Sequence, residues 1–193
     1  MTSKVIDVSY YQKDLNYDTA VANDVKGVIV KISEGTSIEE TWWAHVSECE
    51  TRDLPWGVYC YSHAATPEET EDEANEVLYL LGQRVPPMGV WFDFESQECL
   101  TADDPTAVCS AFVSKINASG IPCGIYASLS TIEDTIDVAA LGDYVPYWVA
   151  QYDDHCDFAD EYPDNVLAGW QYSDQNYIGD TNVDMNKWYL DLN

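Results

Sequence analysis

The segment that decides the fold is Gly89-Val90-Trp91-Phe92-Asp93-Phe94-Glu95. Its short apolar run, set off by prolines and a glycine, is typical of a buried strand, which we expect over Val90–Glu95. Because strand side chains alternate between two faces, Asp93 and Glu95 should project from the same face, about 6.5–7 Å apart along the chain. Unpaired buried carboxylates are costly, so two acids at the end of an apolar strand call for a specific explanation.

The acid pair has two explanations. Lys or Arg side chains could neutralise both acids at a strand end, or the acids could form a paired-carboxylate active site. The chain has only 8 Lys plus Arg against 35 Asp plus Glu, so cationic partners are scarce. The composition therefore favours the active site.

Length, composition and charge narrow the class of protein. A chain of 193 residues with 46% hydrophobic residues predicts one globular domain over residues 1–193, and we expect a monomer. The formal charge of −27 would repel the phosphates of nucleic acids and of anionic bilayers, so neither is an expected partner. The sequence contains no run of 18 apolar residues, so no membrane span is predicted.

The N-terminus and the cysteines bear on the cellular compartment. The chain enters a strand-like segment at Lys4–Val8 without the apolar region of a signal peptide, so we expect synthesis in a cytoplasm. The six cysteines form no CxxC pair and no close group with histidine, which argues against a zinc site. A chain of this size does not need covalent cross-links, and we expect free thiols.

Strands and helices alternate along most of the chain. We predict strands at Lys4–Val8, Gly27–Ile32, Trp56–Tyr61, Val90–Glu95, Cys123–Tyr126, Tyr147–Tyr152, Leu167–Tyr172 and near Asn182–Asp184. We predict helices at Tyr17–Asp24, Ser37–Asp53, Pro67–Leu81 and Asp104–Ala118, with one or two short helices within Ser128–Asp143. Thr66 and Glu69 predict a capping box at the third helix. Residues Asp153–Asn165 show no helical pattern and are predicted to form a polar loop.

This alternation predicts an α/β fold with a parallel sheet. About eight strands in a chain of this length favour an irregular (β/α) TIM-like barrel whose helices are missing in the C-terminal part. The alternative is an open doubly wound sheet, but no glycine-rich phosphate loop follows any strand.

The C-terminal ends of the strands are where a barrel of this kind gathers its functional groups. The residues there are Asp7, Lys31, Glu34, Tyr59, Tyr61, Asp93, Glu95, Tyr126, Gln151, Tyr152, Gln171, Tyr172 and Asp184. This set is acidic and aromatic, with one cation. Aromatic faces pack on sugar rings, and carboxylates and amides bind hydroxyl and amide groups, so the set predicts a glycan-binding cleft.

Seven fragments occur in an order that is specific as a whole: Ile6-Asp7-Val8-Ser9 with Gln12, Val30-Lys31-Ile32-Ser33-Glu34-Gly35-Thr36, Gly57-Val58-Tyr59, Phe92-Asp93-Phe94-Glu95, Tyr147-Trp148-Val149-Ala150-Gln151-Tyr152, Trp170-Gln171-Tyr172 and Val183-Asp184-Met185-Asn186. Together they resemble the family 25 glycoside hydrolases, the Chalaropsis-type lysozymes that are common among phage endolysins. The resemblance extends from about Val5 to Trp188.

The resemblance implies an irregular (β/α) barrel and N-acetylmuramidase activity, which cleaves the β-1,4 bond between N-acetylmuramic acid and N-acetylglucosamine in bacterial peptidoglycan. Glu95 falls on the family's proton donor, and Asp93 would orient the N-acetyl group of the substrate. We predict substrate contacts at Asp7, Lys31, Tyr59, Tyr61, Tyr126, Gln151, Trp170 and Asp184. We predict no metal and no other cofactor, because no His or Cys group has ligand spacing and an acid pair is sufficient for glycoside cleavage. Phage-type release or another non-classical export would bring the protein to the cell wall.

The residue types themselves are also consistent with this reaction. The acetamido group of N-acetylmuramic acid can act as an internal nucleophile, so one acid can donate a proton while the other orients that group, with retention of configuration. Neighbouring acids and an apolar strand would raise the pKa of Glu95 and keep it protonated.

Two other classes of function stay open. A non-catalytic glycan-binding domain would keep the aromatic residues but would not need the acid pair. A metal-dependent carbohydrate deacetylase would need histidine ligands, and His45, His63 and His155 have no ligand spacing.

Overall fold

Nine strands and eight α-helices make up the computed structural model, which describes residues 2–192. The strands are β1 (Ser3–Val8), β2 (Gly27–Glu34), β3 (Ser37–Ile38), β4 (Trp56–Tyr61), β5 (Val90–Asp93), β6 (Cys123–Ser128), β7 (Pro146–Ala150), β8 (Val166–Ile178) and β9 (Thr181–Trp188). The helices are α1 (Tyr17–Ala22), α2 (Trp42–Thr51), α3 (Pro67–Leu81), α4 (Gln97–Leu100), α5 (Pro105–Ala118), α6 (Leu129–Thr135), α7 (Val138–Leu141) and α8 (Phe158–Glu161).

Eight strands close into a barrel in the order β1-β2-β4-β5-β6-β7-β8-β9. All neighbours from β1 to β8 pair in parallel, whereas β9 runs antiparallel to both β8 and β1. The predicted barrel is confirmed, but the prediction of a wholly parallel sheet is wrong for its last strand. Ile178 pairs with Thr181, so only two residues join β8 to β9, and a connection this short forces an antiparallel return.

The helices that follow α5 are short, in the part of the barrel where helices were predicted to be missing. Helices α3 and α5 have 15 and 14 residues, whereas α6, α7 and α8 have 7, 4 and 4. The strands β8 and β9 have no helix between them. The C-terminal part of the barrel is therefore less covered on its outside than the N-terminal part.

Several predicted boundaries are wrong: β7 ends at Ala150, two residues before its predicted end, and β8 extends to Ile178, six residues beyond its predicted end. The boundaries of α2 and β5 are wrong because side chains and turns compete with the simple pattern. Helix α2 does not begin at Ser37, because Ser37–Ile38 forms β3 and pairs with the end of β2 through a turn at Gly35, whose φ is +55°. Strand β5 ends at Asp93, two residues before the predicted end. Glu95 is thus a residue of the loop that follows the strand.

The segment predicted to be a polar loop contains a short helix. Phe158 begins α8 and is completely buried, with its ring centroid 5.0 Å from that of Tyr147. One apolar anchor in an otherwise polar stretch gives no helical period, so the pattern could not predict this helix.

The predicted capping box at α3 is only half formed. The Thr66 hydroxyl accepts the backbone N–H of Glu69 at 3.3 Å, as predicted. The Glu69 carboxylate, however, accepts the N–H of Ala65 at 2.9 Å. The reciprocal bond is displaced by one residue, but the helix end still gains two acceptors.

Aromatic side chains fill the barrel interior on the side away from the C-terminal ends of the parallel strands. The ring centroid of Trp91 lies 5.1 Å from that of Trp188 and 6.1 Å from that of Trp148. A separate outer core lies between the strands and the helices and contains Phe92, Phe94 and most of the valines and isoleucines. All six cysteines are free thiols, and five of them are buried. This filling closes the middle of the barrel beneath the Asp7 and Asp93 end of the strands.

Close packing at Gly124 gives a test of this interior. A Cβ at this position would contact Cζ3 of Trp91 and would lie 2.5 Å from the backbone oxygen of Pro146. We expect Gly124→Ala to lower the free energy of unfolding by about 3 kcal/mol, as overpacking of a tight core does. Gly120→Ala is the control, because its Cβ would have no neighbour within 4 Å and only its φ of +79° opposes the change. Denaturant unfolding measures both, and an equal or smaller loss for Gly124→Ala would contradict the tryptophan-filled interior.

Candidate active site

A cavity of about 920 Å³ opens at the C-terminal end of the barrel. Eight of the ten site residues predicted from the sequence line it: Asp7, Lys31, Tyr59, Tyr61, Asp93, Glu95, Tyr126 and Asp184. Their strands are neighbours in the barrel, so residues far apart in the chain converge at one mouth. This is the place where barrels of this class carry their functional groups.

Gln151 and Trp170 do not line the cavity. The Gln151 side chain donates to Asp157 at 2.5 Å and accepts the N–H of Asp157 at 2.8 Å. The indole N–H of Trp170 donates to the backbone oxygen of Gln151 at 2.7 Å, and Lys187 lies 4.3 Å from the centre of a Trp170 ring. Both side chains are engaged in holding the segment after β7, which argues against direct contact with a substrate.

The cavity also contains residues outside those ten. Trp148 and Gln171 line it, Gln171 having been named among the strand-end residues but not among the substrate contacts, and Tyr11, Asp14, Asp174, Asp180 and Asn182 line it as well. The alternation of side chains along β8 could have pointed to Gln171. Neighbouring residues of a strand face opposite sides, so only one of Trp170 and Gln171 can face inward. No sequence pattern marks the last five residues.

Asp93 lies at the end of β5 and is buried, with 4% of its surface exposed. Among the described residues, its Oδ1 atom has no hydrogen-bond partner. Burial and the nearby charge of Glu95 raise the pKa of Asp93 well above its usual value, and Lys31 opposes this shift. The residue also lines the cavity, where its carboxyl group can accept a hydrogen bond from a bound ligand.

Glu95 stands at the mouth of the cavity, just beyond the end of β5. The residue is exposed as a whole, but its carboxyl group is partly desolvated by neighbouring atoms. This desolvation and the charge of Asp184 raise the pKa of Glu95, while Lys31 lowers it. A carboxyl group with a raised pKa, open to a cleft, has the properties of a proton donor.

Lys31 is the cation of this cavity. Its ammonium group lies 2.6 Å from Oε2 of Glu34 and 5.0 Å from the ring centre of Tyr61. Glu34 therefore holds the lysine over the tyrosine ring at the side of the acid pair. This placement leaves one positive charge among Asp7, Asp93, Glu95 and the other acids of the lining.

Asp7 and Asp184 form a second acid pair. They lie directly opposite each other on β1 and β9. Burial and the mutual proximity of the two carboxyl groups raise the pKa of Asp7, and burial and the charge of Asp174 raise the pKa of Asp184. The cavity thus contains two pairs of acids whose ionisation is suppressed.

Residues 2–192 contain no group of three or more His, Cys, Asp and Glu side chains that could hold a metal ion. Within the same range, no helix is long and apolar enough to cross a membrane.

A closed α/β barrel with paired carboxyl groups at the C-terminal ends of its strands defines a barrel glycoside hydrolase by its fold and its site. The sequence model of the glycosyl hydrolases family 25 matches residues 6–181. The chain belongs to this family, and the predicted family and enzyme class are confirmed.

Solved structures share the fold. The modular autolysin LytC from Streptococcus pneumoniae is 21% identical with a TM-score of 0.85, and the match covers 97% of this chain and 47% of that one. The catalytic domain of the endolysin ply40 from bacteriophage P40 of Listeria monocytogenes is 25% identical with a TM-score of 0.77, covering 100% and 95%. A muramidase from Trichobolus zukalii is 20% identical with a TM-score of 0.74, covering 98% and 95%. The chain thus spans about half the length of the autolysin. No curated protein sequence matches it.

Proposed function

We propose that this protein is an N-acetylmuramidase that cleaves the β-1,4 bond between N-acetylmuramic acid and N-acetylglucosamine in bacterial peptidoglycan. The observation that carries the proposal is the pair Asp93 and Glu95 in the open cavity of a family 25 barrel. The autolysin LytC has also been solved with a synthetic peptidoglycan ligand, which supports this substrate class. Residues 1–193 would act as a single catalytic domain and as a monomer.

In the proposed reaction, Glu95 donates its proton to the glycosidic oxygen as that bond breaks. The carbonyl oxygen of the substrate's 2-acetamido group attacks C1 from the opposite face and forms a cyclic oxazolinium ion. Asp93 accepts the acetamido N–H and stabilises the positive charge that develops there. Water activated by the Glu95 carboxylate then opens the ring at C1, so that two inversions retain the β configuration.

The other cavity residues would bind the glycan strand. Tyr59, Tyr61 and Tyr126 offer ring faces and hydroxyl groups to the sugars, and Lys31 offers a cation to the lactyl carboxylate or stem peptide of the muramic acid. Asp7 and Asp184 extend the acidic side of the cleft. Sugar rings have apolar faces bordered by hydroxyl groups, and this mixture of aromatic and acidic side chains matches them.

The proposed site of action is the bacterial cell wall. The formal charge of −27 makes nucleic acids and anionic membranes unfavourable partners. Phage-type release or another export route would deliver the protein to the wall.

Analysis of the new reducing ends in digested peptidoglycan tests this function. We expect N-acetylmuramic acid at the reducing end, because the proton donor acts on the bond that follows the muramic acid. A reducing N-acetylglucosamine end would overturn the proposal. Release of acetate that is lost on chelation and restored by zinc would indicate the metal-dependent deacetylase instead. Binding without any cleavage would indicate a non-catalytic glycan-binding domain.

A further inference from the structure

The loop after β1 forms one side of the cavity. The lining residues that it provides are Ser9, Tyr11, Gln12 and Asp14. Round the closed barrel, β1 lies three strands from β5, and β9 lies four strands from it. The loop therefore stands across the mouth of the barrel from Asp93 and Glu95. A glycan strand that binds at the acid pair and continues through the same cavity arrives at this loop with sugars beyond the two that flank the scissile bond.

The side chain of Tyr11 is free, with 88% of its surface exposed. Of the tyrosines that are more than half exposed within residues 2–192, Tyr11 alone lines the cavity. An exposed aromatic ring gains free energy when an apolar surface covers it, and the face of a sugar ring is such a surface. The position and the exposure of Tyr11 therefore suit contact with a sugar unit.

The backbone that carries Tyr11 is held by its own turn. Residues Tyr10–Gln12 form a 3-10 turn capped by Ser9, whose hydroxyl group accepts the N–H of Tyr11 at 3.4 Å. Oε1 of Gln12 accepts the backbone N–H of Ser9 at 3.0 Å, and the NH₂ group of Gln12 donates to the backbone oxygen of Asn182 at 3.1 Å. A backbone N–H can only donate and a backbone oxygen can only accept, so the Gln12 amide has one orientation. The turn is closed on itself and is also tied to β9.

A buried histidine holds the same turn from the outer layer of the barrel. Nε2 of His45, on α2, lies 3.1 Å from the backbone oxygen of Ser9 and must be the donor, because that oxygen can only accept. Burial lowers the pKa of His45 and so favours the neutral ring, whose Nδ1 accepts the Tyr17 hydroxyl proton at 2.8 Å. His45 and Tyr17 are both buried, so water does not compete for these hydrogen bonds.

We propose that Tyr11 binds a sugar of the glycan strand beyond the two that flank the scissile bond, and that His45 is a positioning residue that holds the Tyr11 turn in place for this contact. The inference rests on the proposed function, which supplies the glycan substrate. A turn that is fixed before binding loses little conformational freedom when the sugar arrives, so more of the contact energy appears as affinity. Long glycan strands are thereby bound more tightly than short ones.

Binding of peptide-free glycan strands of increasing length tests the Tyr11 contact. NMR titration of the Glu95→Gln protein, which should not consume the ligand, gives the Kd of the disaccharide that contains the scissile bond and of hexasaccharides and octasaccharides. Tyr11→Ala in this background should weaken the binding of the long strands about two- to tenfold, as the loss of one aromatic contact does, with little effect on the disaccharide. Tyr11→Phe keeps the ring and should retain most of the affinity.

Tyr79→Ala is the matched control for Tyr11→Ala. It removes a similarly exposed ring from α3, outside the cavity lining, and should not change the affinity for any strand. Equal affinity of Tyr11→Ala and its parent at every strand length would overturn the proposal. An effect that appears only when the strands carry stem peptides would also overturn it, because Tyr11 would then contact the peptide and not a sugar.

Variants of His45 test its positioning role. The NH₂ group of a glutamine lies near the place of Nε2, so His45→Gln keeps a donor to Ser9, whereas His45→Leu removes it. We expect His45→Leu to weaken the binding of long strands as Tyr11→Ala does, with little further loss when the two changes are combined, and His45→Gln to retain most of the affinity. Full additivity of the two losses, or native affinity in a folded His45→Leu protein, would contradict the positioning role. The Tyr11 variants, at an exposed position, decide the contact even if His45→Leu does not fold.

The sugar contact and the proposed function can fail separately. In the protein with Glu95 intact, Tyr11→Ala should raise KM for long strands about two- to tenfold with little change in kcat, because the contact lies away from the bond that breaks. A protein that binds long strands through Tyr11 but does not cleave them would keep this contact and lose the proposed function. A protein that cleaves them, but whose Kd and KM do not respond to Tyr11→Ala, would keep the function and lose this inference.

Discussion

Glu95→Gln should reduce the rate of peptidoglycan cleavage by at least about 10²–10⁴-fold, the usual contribution of a general acid. The amide keeps the shape of the side chain but has no acidic proton to give to the glycosidic oxygen. The loss should persist at every pH, because no pH restores an acid that is absent. Release of soluble muropeptides measures it.

The loss of rate should depend on the leaving group of the substrate, and a second glutamate provides a matched control. An aryl glycoside with a good leaving group needs little protonation, so Glu95→Gln should recover much of its first-step rate on that substrate. Glu98→Gln removes an equal charge three residues further on, from an exposed side chain that does not line the cavity, and should cleave at the native rate. Equal loss in both variants would attribute the effect to charge rather than to proton donation.

Asp93→Asn should also be severely impaired, with a loss of about 10²–10³-fold, the size seen when one transition-state partner is removed. The Asp93 carboxyl group can ionise when positive charge develops on the acetamido group, whereas an amide cannot. The activated aryl glycoside should not rescue this variant, because protonation of the leaving group is not its defect. Rescue of Asp93→Asn alone would reverse the two assignments and make Asp93 the acid.

Two controls accompany the Asp93 variant. The variant should unfold at the native denaturant concentration or above it, because the buried carboxyl group has an unpartnered oxygen and a suppressed ionisation, and its replacement removes a desolvation cost. Asp134→Asn, at an exposed position outside the cavity lining, should leave cleavage unchanged. Substrate with N-deacetylated muramic acid should resist even the native enzyme, since the nucleophile is missing.

Several features of the molecule could be predicted from local pattern alone. The run before Asp93 defines a buried strand, and the alternation of side chains places Asp93 and Glu95 on one side of it; the cavity contains both. The repeated change between strand and helix predicts the barrel, and the loss of rhythm after Ser128 predicts its short late helices. These features depend on periods of two and of about four residues, which the sequence displays directly.

Other features depend on contacts between residues that are distant in the chain. The pairing of β9 with β1 closes the barrel between the two ends of the chain, and α8 depends on the burial of Phe158 against Tyr147. Neither contact leaves a periodic trace in the sequence.

Features predictable from the sequence and features that depend on tertiary contacts differ most clearly in the candidate active site. The sequence by itself determined which strand leads into the acid pair and that acids and aromatic residues gather at the strand ends, because local periodicity and composition are sufficient for both. Only the tertiary structure decided that Gln171 rather than Trp170 faces the cavity, and that Gln171 and Asn186 converge on Asp7 across 164 and 179 residues of chain. Hydrogen-bond partners and suppressed ionisation arise from distances of about 3 Å in a buried space, and such distances exist only when the barrel is closed.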